Sequence, residues 1–351
     1  GGVVLGAGGG AVEGGAAAAR AGGGGGAGGG GGGGGARPGR SAWGLDLSLS
    51  GLKALRLDVR KQDDEIVVGA CDWIEHRKPL GQASGPDERR EILAETIGIF
   101  RKRGPARLER ACASLPDMHW ISRRVTVPPT SAEKLAEVMQ HEARLQLASL
   151  PGDLAWAYHC LEPAGEAALR REHPVLLVAV KKAALEAPLE VLRSSKIKVD
   201  QVQVDWLALA NALVYLGHFP TRHSFQAAGV PATAAALDVG SETSTLVVHG
   251  PGQLDARLIR VGGYAFTRAV ARAFGLPLAD AEKLKRDPRS LDFLSRLHEA
   301  VRPVLEDLLR DLRGGLNHPP RDGGALCPSR LLAVGGGMRL HGLWRYLLWE
   351  R

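Results

Sequence analysis

One strand–turn–strand pattern occurs twice in this chain. Residues 44–57 (GLDLSLSGLKALRL) and 236–249 (ALDVGSETSTLVVH) follow the same plan about 190 positions apart. In each, an apolar strand ends in Leu-Asp, a tight turn rich in Ser, Thr and Gly follows, and an apolar strand returns. Apolar residues at alternate positions on both sides of a Ser/Gly turn predict a hairpin. Each hairpin is followed by a third strand, 65–74 in the first copy and 255–261 in the second, and then by helices. A duplication of this kind predicts two related domains facing one another across a cleft.

The stretches between the copies fill in an α/β chain. Helical spacing of apolar residues predicts helices over 88–103, 130–147, 182–194, 206–216, 265–274, 279–285 and 291–312, with a last helix from residue 341. Ser131 stands at the N-cap of the second of these, with Lys134 where a capping box would carry Glu. Short strands are predicted at 110–115, 124–127, 158–161, 199–204 and 330–334. The run 174–180 is apolar on both faces and predicts a central strand, and 217–231 reads as a loop. Strands and helices alternate throughout, which places the fold in the α/β class.

Composition excludes several alternatives. Of 47 glycines, 21 fall within the first 35 residues, a leader with one acid (Glu13) and one base (Arg20). Such a segment cannot bury enough apolar surface to offset its ordering, so residues 1–40 are expected to be a disordered leader. The net charge of +7 is scattered rather than blocked, which suggests a solvated or membrane-facing surface rather than a nucleic-acid footprint. The four cysteines lie far apart, with no CxxC and no His at ligand spacing, which argues for a reducing compartment and against zinc. No run of 18 uncharged apolar residues predicts a membrane span.

The hairpins carry the chemistry. A turn presenting Ser hydroxyls and backbone amides can cradle phosphate oxygens. An Asp at the strand end would repel a phosphate directly but can hold Mg²⁺ between itself and the phosphate. Asp46 and Asp238 are the candidate metal ligands, and Lys53, seven residues after Asp46, could reach a phosphate or simply lie along its strand. A third motif, Leu331-Leu-Ala-Val-Gly-Gly-Gly-Met-Arg-Leu, places three glycines between a strand and a helix. There a backbone can approach a flat ligand closely, though such a turn also serves as a plain connection.

Two phosphate hairpins and a terminal glycine turn, in that order, resemble the actin-like ATPase superfamily, which includes actin, sugar kinases, 70-kDa heat-shock chaperones, MreB and FtsA. Within it, residues 43–351 are most similar to the PilM family of type IV pilus assembly. The stretches that carry the similarity are GLDLSLSGLKALRL, SLPDMHWISRRVTVPPTSAEKLAEVMQHEARLQL, VDQVQVDWLALANAL, LDVGSETSTLVVHGPGQLDARLIRVGGYAFTRAVARAFGLPLADAEKLKRD and LAVGGGMRLHGL. The family usually has Gly where this chain has Ser48, and the strand and helix expected after the last motif are lacking, as in a truncated chain.

The resemblance implies an actin-like, duplicated ribonuclease H-like fold with two lobes around a nucleotide cleft. The first lobe would span 41–118 and 174–232, an inserted subdomain 119–173, and the second lobe 233–351. It implies ATP and Mg²⁺ as ligands, with weak hydrolysis at most. Asp46, Ser48, Ser50, Gly51 and Lys53 would form the first phosphate loop, and Asp238, Gly240, Ser241, Thr243 and Ser244 the second. Asp205 would orient Mg²⁺ or the attacking water. Glu282 and Lys285 would contact the nucleoside, although their i,i+3 spacing equally suits a surface ion pair. Gly263 would meet the nucleotide, and Gly335, Gly336 and Gly337 would back the adenosine. The implied partner is the cytoplasmic tail of a PilN-like inner-membrane protein, held in a groove of the inserted subdomain at the inner face of that membrane. A homo-oligomer stays open. An FtsA-like division protein and a small-molecule kinase are the alternatives within the superfamily.

Overall fold

The computed structural model describes residues 41–60, 65–104, 108, 110–116, 119–161, 172–218, 233–250, 253–287, 291–316 and 328–349. The leader expected at 1–40 and most of the loop expected at 217–231 lie outside these residues. The chain divides into two compact units, Gly1–Ala208 and Leu209–Arg351.

In the first unit, β1 (Ser41–Leu47), β2 (Gly51–Val59) and β3 (Ile66–Glu75) form an antiparallel meander. β4 (Ala111–Ser114) lies parallel to β1, and β8 (Gln201–Val202) parallel to β4, which gives the order β3-β2-β1-β4-β8. Residues of one strand parity, Trp43, Leu45, Leu47, Leu52, Ala54 and Ile74, are buried. Helix α1 (Pro86–Arg103) lies against β2 and β3 and buries Ile92, Leu93, Thr96, Ile97 and Phe100. Its Phe100 ring meets Trp43 edge-on at 5.4 Å. Burying each large side chain of this kind contributes about 1.5–3 kcal/mol.

A second sheet of this unit has the order β5-β7-β6, all antiparallel, from β5 (Trp120–Val127), β6 (Leu154–Cys160) and β7 (His173–Lys181). Helix α2 (Ala132–Leu147) packs Leu135, Met139, Ala143 and Leu147 onto Val125, Val127, Val175, Leu177 and Ala179. Ser131 is its N-cap residue but makes no side-chain cap hydrogen bond. β7 is central, as its two apolar faces require, and it belongs to this sheet. This sheet therefore runs through Lys181, past the residue 173 at which the inserted subdomain is expected to end. Helix α3 (Lys182–Ser194) follows, and α4 (Asp205–Tyr215) straddles the division between the units.

The second unit repeats the first plan. β9 (Ala234–Val239), β10 (Ser244–Gly250) and β11 (Gln253–Ile259) are antiparallel, and β12 (Arg330–Val334) lies parallel to β9, giving β11-β10-β9-β12. In both copies the strands thus lie in the order third, second, first, fourth. Helices α5 (Gly263–Phe274), α6 (Leu278–Arg286), α7 (Leu291–Leu316) and α8 (Leu343–Trp349) complete it. Phe266, Val270, Leu297, Val301 and Leu308 pack on Leu237, Val239, Leu246 and Ile259 to form the core.

Candidate functional site

The first hairpin is set by register. Asp46 lies opposite Lys53, and Lys53 Nζ donates to Asp46 Oδ2 at 2.9 Å. Both side chains are largely exposed, so the pair contributes little to stability. Lys53 Nζ also stands 5.4 Å from the centre of the Trp73 ring. The turn itself is bonded inward: Ser48 N donates to Gly51 O at 2.9 Å, His76 N to Ser50 O at 3.0 Å, and Leu80 N to Leu49 O at 2.8 Å. Ser48, at the position where the family has Gly, folds its hydroxyl back onto Gly51 O at 2.9 Å, with Ser50 Oγ 3.3 Å away. Gly51 has a steric reason to be glycine, because a Cβ there would sit 2.4 Å from Ile74 O.

The second hairpin uses the same device. Asp238 lies opposite Thr245. Gly240 N donates to Thr243 O at 3.0 Å, while Gly240 O and Ser241 O accept from Gly263 N at 2.9 Å and Tyr264 N at 2.6 Å. In both copies, then, amides that follow the third strand draw the tip carbonyls inward. Leu49, Ser50, Ser241 and Glu242 lie in the bends at the two tips, and successive amides of such turns can cradle an anion. Ser244 is buried, and its hydroxyl donates to Val261 O at 2.6 Å, so it holds the turn rather than lining its outer surface.

Around this hairpin the second unit gathers the remaining candidates. Gly335 has φ +96°, and a Cβ there would lie 2.2 Å from Asp238 Oδ1 and 2.4 Å from Val239 O. A Cβ at Gly337 would meet Val239 Cγ1 at 2.3 Å, whereas one at Gly336 would meet nothing within 4 Å. A Cβ at Gly263 would stand 3.8 Å from Gly337 Cα and 3.9 Å from Lys285 Nζ. Lys285 Nζ donates to Gly263 O at 3.1 Å, to Thr267 Oγ1 at 2.9 Å and to the Glu282 carboxylate at 2.6 Å. Arg286 Nε donates to the other Glu282 oxygen at 2.7 Å, and the Thr267 hydroxyl also touches Glu282.

Burial lowers the Lys285 pKa from its ordinary value, partly opposed by Glu282. For Glu282, burial would raise the pKa, but the Lys285 hydrogen bond and charge, with Thr267 and Arg286, carry it below the usual carboxylate value. The Glu282–Lys285 pair is therefore an ion pair, and one that also grips the first turn of α5.

Thr267 and Gly262 belong to this cluster but were not singled out from the sequence. A Cβ at Gly262 would lie 2.5 Å from the Glu242 carbonyl carbon. The VGG-x-x-FT run beside the second hairpin is the signal that could have found both. Asp205 is exposed at the start of α4, where its Oδ1 accepts from Trp206 N at 2.8 Å. Among the described residues no group of three His, Cys, Asp or Glu side chains is placed to hold a metal. Mg²⁺ bound through substrate phosphates needs only one or two carboxylates; the first hairpin carries Asp46 and the second Asp238. Cys71, Cys112 and Cys160 are free.

A sheet duplicated in the order third, second, first, fourth, with a Leu-Asp hairpin in each copy and a glycine turn after the last strand, defines an actin-like ATPase fold. The sequence profile of the type IV pilus assembly protein PilM matches residues 44–344. The chain belongs to the PilM family, and is an actin-like protein of type IV pilus assembly. The PilM–PilN type IV pilus biogenesis complex is similar with TM-score 0.68 and 24% identity, covering 87% of this chain and 84% of that one. The ethanolamine utilization protein EutJ of Carboxydothermus hydrogenoformans is less similar (TM-score 0.47, 16% identity, 89% and 83% covered). So is MreB5 of Spiroplasma citri bound to AMPPNP (TM-score 0.45, 12% identity, 88% of each chain). No match was found among curated protein sequences.

Proposed function

We propose that this chain binds ATP with Mg²⁺ and, so loaded, holds the cytoplasmic tail of a PilN-like inner-membrane protein at the inner face of that membrane. The observation that carries the reading is the second hairpin. Its tip carbonyls are tied to the start of α5, while Gly335 and Gly337 let a backbone run against Asp238 and Val239 with no side chain between. The glycine turn is thereby held close against the Asp238 carboxylate, with open space on the Gly336 side. In the second unit Asp238 would be the Mg²⁺ ligand; in the first unit Asp46 would be one, and Asp205 would orient the metal or a water. Gly240, Ser241 and Thr243 would offer the second phosphate loop, and Ser48, Ser50, Gly51 and Lys53 the first. Gly263, Glu282 and Lys285 would meet the nucleoside, backed by Gly335, Gly336 and Gly337. When bound, the metal would neutralise phosphate charge between the carboxylates and the nucleotide. The PilN tail enters the reading because the related PilM was solved in complex with PilN.

Mg²⁺-ATP at about 100 times its dissociation constant should add about 2.7 kcal/mol of stability, a rise in Tm of several degrees. Asp238→Ala should abolish that rise. No shift in the unmodified protein would refute nucleotide binding, and failure to retain a PilN-type tail in the presence of Mg²⁺-ATP would refute the docking.

A further inference from the structure

Of the three tip carbonyls in the first hairpin, two are held by backbone amides and one by a side chain. His76 Nε2 lies 3.2 Å from Ser48 O, and the same residue's amide holds Ser50 O. The ring is buried, 5% exposed, and its Nδ1 lies 2.6 Å from Thr96 Oγ1 on α1. Thr96 Oγ1 is also 2.9 Å from Ile92 O. Ser48 O can only accept, so a neutral ring carries its proton on Nε2, and Nδ1 then accepts the Thr96 hydroxyl proton in place of Ile92 O. Burial lowers the imidazole pKa, against the opposing effect of the Ser48 carbonyl, which favours the neutral ring this assignment needs. In the second hairpin the tip carbonyls of Gly240 and Ser241 are held by amides, with no imidazole.

We infer that His76 is the positioning residue of the first phosphate loop: a buried imidazole that holds the Ser48 carbonyl and ties the loop to α1 through Thr96. The inference rests on the nucleotide reading only for what the loop grips; the clamp itself is a property of the protein alone. His76 touches no ligand in this scheme and acts through the backbone it holds.

The test compares His76→Leu, which removes the donor, with His76→Gln, whose amide can donate to Ser48 O and accept from Thr96. Hydrogen exchange is read at the Ser48 and Leu80 amides, which bond to Gly51 O and Leu49 O. Loss of one such bond should speed exchange about tenfold in the Leu variant, with near-normal rates in the Gln variant. Amides of β9 and β10 serve as the unaffected control. Mg²⁺-ATP affinity should fall about tenfold in the Leu variant and recover to within about threefold in the Gln variant. Unchanged exchange in the Leu variant, or equal damage in both, overturns the inference. If the Leu variant does not fold, Thr96→Val decides, since it frees the ring and should speed exchange at the same amides. If the unmodified protein binds no Mg²⁺-ATP, the nucleotide reading falls while the exchange comparison still decides the clamp.

Discussion

The Glu282–Lys285 pair makes an asymmetric prediction. Lys285 is 11% exposed and Glu282 31%, and each has other partners. In Lys285→Met the carboxylate keeps Arg286 and the Thr267 hydroxyl. The one Thr267 proton can serve either that carboxylate or Gly263 O at 3.0 Å, and the thioether refills much of the lysine stem. The loss is then close to one charged hydrogen bond, about 1 kcal/mol after allowing for partial exposure. In Glu282→Gln the ammonium stays almost buried with only neutral acceptors. Stranding a buried charge costs about 3–5 kcal/mol, reduced to about 2–3 by the exposure on the glutamate side. The substitution that preserves shape should therefore do about twice the damage of the one that does not.

The pH dependence separates these two cases. A lysine whose folded pKa is lowered binds fewer protons in the folded than in the unfolded state between that pKa and the unfolded value of about 10.4. Stability therefore rises with pH across that window. Removing Glu282 takes away what opposes the lowering, so the window widens and the Glu282→Gln deficit should shrink as pH rises from 7 towards 10. The Lys285→Met deficit should not shrink. Urea unfolding at pH 7 and pH 9.5 measures both. A Lys285→Met deficit as large as that of Glu282→Gln, or a Glu282→Gln deficit flat in pH, would refute the burial argument.

Two further outcomes are expected. Gly335→Ala places a Cβ 2.2 Å from Asp238 Oδ1 at φ +96°, and should cost about 3 kcal/mol or more, a Tm drop of roughly 6–12 °C. Gly336→Ala, which meets nothing, should move Tm by about a degree at most, and equal effects would discount the close approach. At the start of α1, the Ser84 amide and hydroxyl, then Lys78, push the Glu88 pKa down to about 2. That depression stabilises the fold above about pH 4.3 and is lost as pH falls towards 2. The urea midpoint of Glu88→Gln should thus lie below that of the unmodified protein at pH 7 and meet it near pH 2.

The parts of this fold that could be read from sequence are those whose partners lie close along the chain. Asp46 and Lys53 are seven residues apart and opposite in register because a three-residue turn joins two alternating strands. β7 was legible because both its faces are apolar. Its neighbours were not: β5 starts at Trp120 and β6 at Leu154, both ahead of the expected residues 124 and 158. Their added residues pair with β7, and that ladder leaves no periodic trace in either strand alone. β8 shrinks to Gln201–Val202 because its partner β4 has only four residues to offer. The same distance effect decides the site. Glu282 and Lys285 announce themselves at i,i+3, yet the ion pair's grip on Gly263 and Thr267 needs α5 and α6 already packed. His76 is 28 residues from Ser48 and 20 from Thr96, and neither spacing has a sequence signature. A hairpin turn can thus be recognised by its own residues, while what keeps it in shape is supplied by side chains that only the folded sheet brings to it.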